Sequence, residues 1–113
     1  MDKPDAAAAP QAEQQQLDNH QVIELDEPVK RGTEEITSIT LRKPVSGELR
    51  GVNLMELAQM DVLALRKVLP RITTPSLTDI EVGRMDPADL MQCGVAVASF
   101  LLTKKARQAS LEG

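Results

Sequence analysis

The chain has 113 residues, 42% of them apolar, which suits one small domain and leaves no room for a second. Seventeen acidic against thirteen basic residues give a net charge of −4, which argues against a protein held on nucleic acid by phosphate neutralisation. Phe100 is the single aromatic residue, so no stacking platform for single strands can be built, and one Cys with one His excludes a disulfide framework and any multi-Cys/His ligand set.

Residues 1–19, rich in Ala, Gln and Pro, offer little apolar surface to offset the entropy of ordering and read as a disordered acidic arm. A single small domain is expected over residues 20–106 and a flexible tail over 107–113. The start lacks the basic residues and apolar block of a secretory signal. The longest apolar-leaning run, Val95 to Leu102, is far short of the ~18 residues that span a bilayer. A soluble chain with no membrane contact is therefore expected, and a lone thiol fits a reducing compartment. Charge is uneven: residues 1–35 carry a balance of −6 and residues 36–113 one of +2.

Gln21 to Leu25 and Glu35 to Leu41 are rich in β-branched residues, and the turn formers of Asp26 to Thr33 lie between them. This predicts a β-hairpin with a long loop. Ile39 and Leu41 share a face with Thr37, while Ile36 breaks the alternation and points to a bulge or a two-sided contact. Two strands alone are marginal, so the hairpin must lie on something.

Helices are the expected cover. Asn53 suits the cap of a helix from Leu54 to Met60, and Asp61 the cap of a stretch running to Leu69, where Pro70 ends it. The spacing of Leu54, Leu57, Val62, Leu65 and Leu69 fits one kinked helix or two. After the linker Thr73-Thr74-Pro75, Thr78-Asp79-Ile80-Glu81 is a capping box with Leu77 and Val82 as its staple, and Gly83 closes a very short helix. Asp86-Pro87-Ala88-Asp89 is the strongest helix start, with Asp86 as cap, Pro87 at the first helical position and Asp89 reaching back to the unpaired amides. That helix is predicted to run to about Ala106, with Lys104, Lys105 and Arg107 complementing its negative terminus.

This last helix is apolar on more than one side. Leu90, Gly94, Val97 and Leu101 form one stripe; Met91, Val95, Ala98 and Leu102 form a second beside it; Cys93, Val97 and Phe100 widen the surface further. Such a helix serves as the central core element, as a partner or self-association surface, or as both. The residues assigned to partner binding are Leu90, Met91, Val97, Phe100 and Leu101, with Leu57 and Leu65 completing a groove.

Catalytic, cofactor and metal sites are not expected. Cys93 lies inside an apolar helix and His20 stands at the edge of the arm, so no nucleophile and base pair up. Capping accounts for Asp86 and Asp89, and no phosphate-loop pattern surrounds Gly47, Gly51 or Gly83. Arg42, Lys43 and Arg50, and again Arg66, Lys67 and Arg71, cluster; a solvated, ion-paired face is the expectation over an acid-binding patch. The last two helices are spaced like a helix-turn-helix, but Asp86 and Asp89 at the start of the second would repel phosphate.

The succession Thr40-Leu41-Arg42-Lys43-Pro44, Gly47-Glu48-Leu49-Arg50-Gly51, Leu57-Ala58-Gln59-Met60-Asp61, Leu69-Pro70-Arg71-Ile72-Thr73, Leu77-Thr78 and Met85-Asp86-Pro87-Ala88-Asp89-Leu90 resembles the tail assembly chaperones of Mu-like and P2-like contractile-tailed phages. The resemblance runs from about Val22 to Leu102. It implies a phage or prophage protein made in the host bacterial cytoplasm and absent from the mature virion. Such a protein binds the tape measure protein and keeps it soluble until the tail tube polymerises. In several such phages a ribosomal frameshift makes a longer form as well. The family has no catalytic residues to carry over.

The expected fold is α+β: an N-terminal β-hairpin followed by three or four helices, the last long and apolar. The expected role is non-enzymatic, with the tape measure protein as partner, a homo-oligomer as a further option, and no nucleic acid or cofactor. The competing classes are a structural tail or baseplate subunit and, less well supported by the residues, a small enzyme.

Overall fold

A computed structural model describes residues 19–106; the predicted arm, apart from Asn19, and the predicted tail over 107–113 lie outside the described residues. The fold is α+β. Strand β1 (His20–Arg31) pairs antiparallel with β2 (Glu34–Arg42). A 3-10 turn (Ser46–Leu49) leads to helices α1 (Leu54–Ala58) and α2 (Val62–Ile72), the short strand β3 (Thr73–Thr74), and helices α3 (Asp79–Gly83) and α4 (Pro87–Phe100). The sheet order is β1-β2-β3, with β3 antiparallel to β2 through Thr40 with Thr74 and Leu41 with Thr73.

The hairpin differs from its sequence-based description. Its loop is two residues, Gly32 and Thr33, because Arg31 pairs with Glu34. Gly32 takes φ +65°, the left-handed geometry that lets a tight turn follow the twist of the strands. The turn formers Asp26, Glu27 and Pro28 sit in β1 itself, within a bulge. Glu24 pairs with Ser38 and Val29 with Ile36, so Leu25 to Pro28 all face Thr37. Bulges and edge strands are where a sheet tolerates proline, since its missing N–H costs no ladder bond there.

Ile23, Ile39 and Leu41 present one face of the sheet to the helices. The core is completed by Leu57, Leu65, Val68, Leu69, Ile72, Leu77, Val82, Cys93, Val97 and Phe100. On α2 the buried positions Ala64, Leu65, Val68, Leu69 and Ile72 follow the one-sided spacing of an amphipathic helix.

Between Asn53 and Ile72 the chain forms two helices. The Asn53 side chain accepts the amides of Met55 and Glu56, and Asp61 Oδ2 accepts that of Ala64 at 3.0 Å, so each helix has its own cap. Met60 separates them with φ +62°. Pro70 does not end α2, which continues to Ile72. A proline one turn from the C-terminus forfeits a single ladder bond, and the last carbonyls find other donors. Ser76 Oγ donates to Pro70 O at 3.1 Å, and Arg42 donates to Arg71 O at 3.1 Å.

The capping box of α3 forms as read. Glu81 N donates to Thr78 Oγ1 and Thr78 N to Glu81 Oε1, with Leu77 and Val82 buried on either side of the cap. Helix α4 stops at Phe100, short of the predicted Ala106. Leu101 N and Leu102 N donate to Ala98 O and Ser99 O, tightening the last turn. Thr103 Oγ1 then accepts Ala106 N at 3.0 Å, the geometry of a fresh N-cap, so Lys104 and Lys105 stand outside α4.

Candidate partner-binding surface

Two features hold α4 in place. The first is Asp89, a carboxylate with no exposed surface. It does not bond the first amides of its own helix, as its sequence position suggests; Asp86 caps alone, accepting Ala88 N at 3.0 Å. Asp89 instead accepts Asp26 N at 2.7 Å on Oδ1 and Glu27 N at 3.0 Å on Oδ2. Gln92 adds a donor to Asp89 Oδ1 and another contact to Glu24 O at 3.4 Å. These side chains occupy the outer edge of β1 where the bulge departs from β2. A buried carboxylate is tolerated there because backbone donors replace its lost hydration.

The second feature is Gly94. A Cβ at this position would stand 3.0 Å from Met60 Cγ and 3.2 Å from Met60 Sδ. The absence of a side chain lets Met60, at the elbow between α1 and α2, lie directly on α4.

With α4 so placed, its two sides separate cleanly. Asp89, Cys93, Ala96, Val97 and Phe100 face inward. At 100° per residue, Met91, Val95, Ala98 and Leu102 fall on the opposite side. Met91 is 58% exposed, Val95 54% and Leu102, just past the helix end, 42%, an uncovered apolar row. The α1–α2 elbow beside Met60 adds Leu54, Met55, Val62 and Leu63, all exposed. Exposed apolar side chains in such number are of the kind that marks contact with another molecule.

The residues assigned to partner binding from sequence do not all lie on this surface. Met91 does. Leu90 and Leu101 are half-buried and pack against the core. Leu57, Leu65, Val97 and Phe100 are core residues with at most 2% exposure. Val95 and Leu102 are exposed beside Met91 instead. The regular spacing of Met91, Val95, Ala98 and Leu102 already marks that row in the sequence; which of two apolar stripes faces out does not follow from spacing. Leu63 and Met55 carry no such signal, because each adjoins a core position in a helix whose direction the sequence leaves open.

The charged residues are tied down elsewhere. Arg31 makes a two-point pair with Glu81 (2.9 and 2.6 Å) and donates to Ser76 O, joining the hairpin tip to α3. Arg42 makes a two-point pair with Glu48, and Arg66 one with Asp79. Arg71 donates to Glu48 O and Arg50 O. Three of the clustered cations, Arg42, Arg66 and Arg71, thus serve as latches between elements. The Arg42 guanidinium, helped by Val45 N–H, holds Glu48 down to about 2; Arg31, helped by Thr78 N–H, does the same to Glu81. Burial, with Asp89 nearby, pushes the Cys93 thiol up to about 12, which leaves it protonated and a poor nucleophile at neutral pH. Among the described residues no three His, Cys, Asp or Glu side chains gather as a metal-ligand set would, and no helix is long and apolar enough to cross a membrane.

Residues 22–102 match the family described as phage tail assembly chaperone proteins, E, or 41 or 14. Tail assembly protein E of Escherichia phage P2 is 47% identical over 85 residues, covering 75% of this chain and 93% of that protein. Tail assembly protein E′ of the same phage is 46% identical over 88 residues, 78% of this chain. The chain spans 62% of the length of E′. No solved structure matches. The matched span opens at the third residue of β1 and closes at Leu102, so it contains all of the sheet but His20 and Gln21, the four helices α1 to α4 and the uncovered row Met91, Val95 and Leu102.

Proposed function

Since the chain belongs to the family of phage tail assembly chaperone proteins, we propose that it binds the tape measure protein and keeps it soluble until the tail tube polymerises. The observation that carries this reading is the uncovered row of Met91 and Val95 on α4 and Leu102 just past its end, with Leu54, Met55, Val62 and Leu63 also exposed on α1 and α2. A holdase for a long helical client needs an apolar surface that accepts the greasy face of a helix, displayed on elements rigid enough to keep it from collapsing. Asp89 and Gly94 supply that rigidity by fixing α4 against the sheet edge and the α1–α2 elbow. The protein acts by binding and performs no chemistry of its own. Its place of work is the host cytoplasm, and it leaves before the particle is complete.

The test is co-expression with the tape measure protein of the same phage, followed by affinity pull-down and size-exclusion chromatography with light scattering. A soluble complex of fixed stoichiometry is expected, lost in Met91→Asp/Val95→Asp while the variant alone stays folded. An insoluble tape measure protein beside a free 113-residue chain would sink the reading. Recovery of the chain from purified virions would favour a structural tail or baseplate subunit instead.

A further inference from the structure

Strand β1 is an edge of the sheet, and its two halves treat that edge differently. From Leu25 onward it is closed. The bulge takes the strand off the ladder, Asp89 holds the amides of Asp26 and Glu27, Pro28 has no N–H to offer, and Lys30 adds a charge. Bulges, proline and charge are the devices that keep an edge strand from pairing with another chain. From His20 to Glu24 the strand carries no bulge, no proline and no lysine.

Two bonds set the direction of the backbone groups in this stretch. Lys43 N, continuing β2, donates to Asn19 O at 2.6 Å, so Asn19 turns its carbonyl inward. Gln92, on the outer side, contacts Glu24 O at 3.4 Å. In an antiparallel ladder the N–H and C=O of one residue point the same way, and the direction alternates along the strand. Gln21 and Ile23 therefore bond to β2, whereas Val22 and Glu24 direct their groups outward. Among the described residues no group takes the N–H or the C=O of Val22 on that side, and its side chain is 62% exposed.

The stretch is complementary to itself. About a two-fold axis at Val22, the strand of a second copy runs antiparallel, with Val22 on Val22 and His20 opposite Glu24 at both ends. A carboxylate then faces an imidazole, no like charges meet, and two β-branched side chains pack across the axis. The Val22 N–H and C=O of each copy bond those of the other. Glu24 O accepts a donor in addition to Gln92, since a carbonyl has two lone pairs. Moving the axis to Ile23 would set His20 against Asp26, whose amide Asp89 already holds.

We propose that two copies of this chain pair through the outer edge of β1, from His20 to Glu24, and join their sheets into one. The inference does not rest on what the α4 row binds.

The test is the mass of the full chain, by size-exclusion chromatography with light scattering at rising concentration. A dimer is expected. Val22→Lys, a charge of the kind that guards edge strands, should halve the mass. Val22→Pro should do the same, since the N–H it removes bonds nothing within the chain. Both variants should keep a cooperative melt by circular dichroism, and Met91→Asp/Val95→Asp should leave the dimer intact. Cross-linking reads the register. Hydrogen-bonded partners stand ~5.5 Å apart at Cα, within reach of a disulfide, so an oxidised Val22→Cys chain should become a covalent dimer. Val45→Cys, as exposed but away from this edge, should not, and the native Cys93 is buried. A monomer at every concentration would overturn the proposal. So would a dimer that survives Val22→Lys, one lost in Met91→Asp/Val95→Asp, or one that cross-links equally from Val45→Cys.

Discussion

Helices α2 and α4 both bury one side against the same core, yet they treat their outer sides in opposite ways. On α2 the outward positions include Arg66, Lys67 and Arg71, and each reaches a neighbouring element: Asp79 on α3, Gly51 O, and the carbonyls of Glu48 and Arg50. On α4 the corresponding side carries Met91, Val95, Ala98 and Leu102, with three of the four largely exposed. Polar residues of α4 are instead turned to the sheet edge, through Asp89 and Gln92. The difference teaches that α2, past the exposed Val62 and Leu63 of its first turn, is latched to its neighbours by its outer side as well as packed by its inner one, whereas α4 is integrated by one side and leaves the other to the outside. Charged side chains can reach across and latch; short apolar ones only become satisfied when something covers them.

The largest way to break this contrast is to place a charge on the inner side of α4. Val97→Asp puts an unpaired carboxylate at a fully buried position, and its cost rivals the ~5–15 kcal/mol that stabilises a whole small domain. Loss of the cooperative thermal transition by circular dichroism is expected; a melt near that of the native chain would show that the inner side is not core. Asp89→Ala comes next. Two backbone donors lose their acceptor, for a cost of about 2–4 kcal/mol in urea denaturation, with faster hydrogen exchange at Asp26 and Glu27. Asp89→Asn, which keeps one acceptor oxygen, should fall between.

The latches are probed by acid. Glu48 and Glu81 are held at about 2 in the folded chain against an ordinary 4.5, so the folded state favours their ionised forms. Their contribution is complete above pH ~4.5 and is lost as pH falls toward 2, where the folded groups take up protons as well. The urea midpoint should decline over that window, and Glu81→Gln should flatten the decline while leaving the α4 surface untouched. The smallest effect on stability is expected on the outer row itself. Met91→Asp/Val95→Asp should change unfolding free energy by no more than about 0.5 kcal/mol, as for exposed positions generally, while abolishing the tape measure complex in co-expression. A large destabilisation would mean that this row is packed after all, and the contrast with α2 would collapse.

Local chemistry was legible residue by residue. Asn53, Asp61, Thr78 and Asp86 announce four helix starts because a short polar side chain before an apolar run can satisfy amides that the helix leaves open, and each of the four does so. The strand character of Glu35 to Leu41, the alternation that buries Ile39 and Leu41, and the ordered succession of motifs that marks the family are likewise properties of neighbouring residues. What depended on distant partners was not legible. Asp26 to Pro28 have the composition of a loop but belong to a strand, because Asp89, more than sixty positions away, accepts the amides that the bulge takes off the ladder. Thr73 and Thr74 form a strand only because β2 lies alongside. Both apolar stripes of α4 carry the same period, and hydrophobicity has no direction of its own. The fold chose the side: Asp89 had to reach β1 and Gly94 had to admit Met60, and those two contacts rotate Met91, Val95 and Leu102 outward.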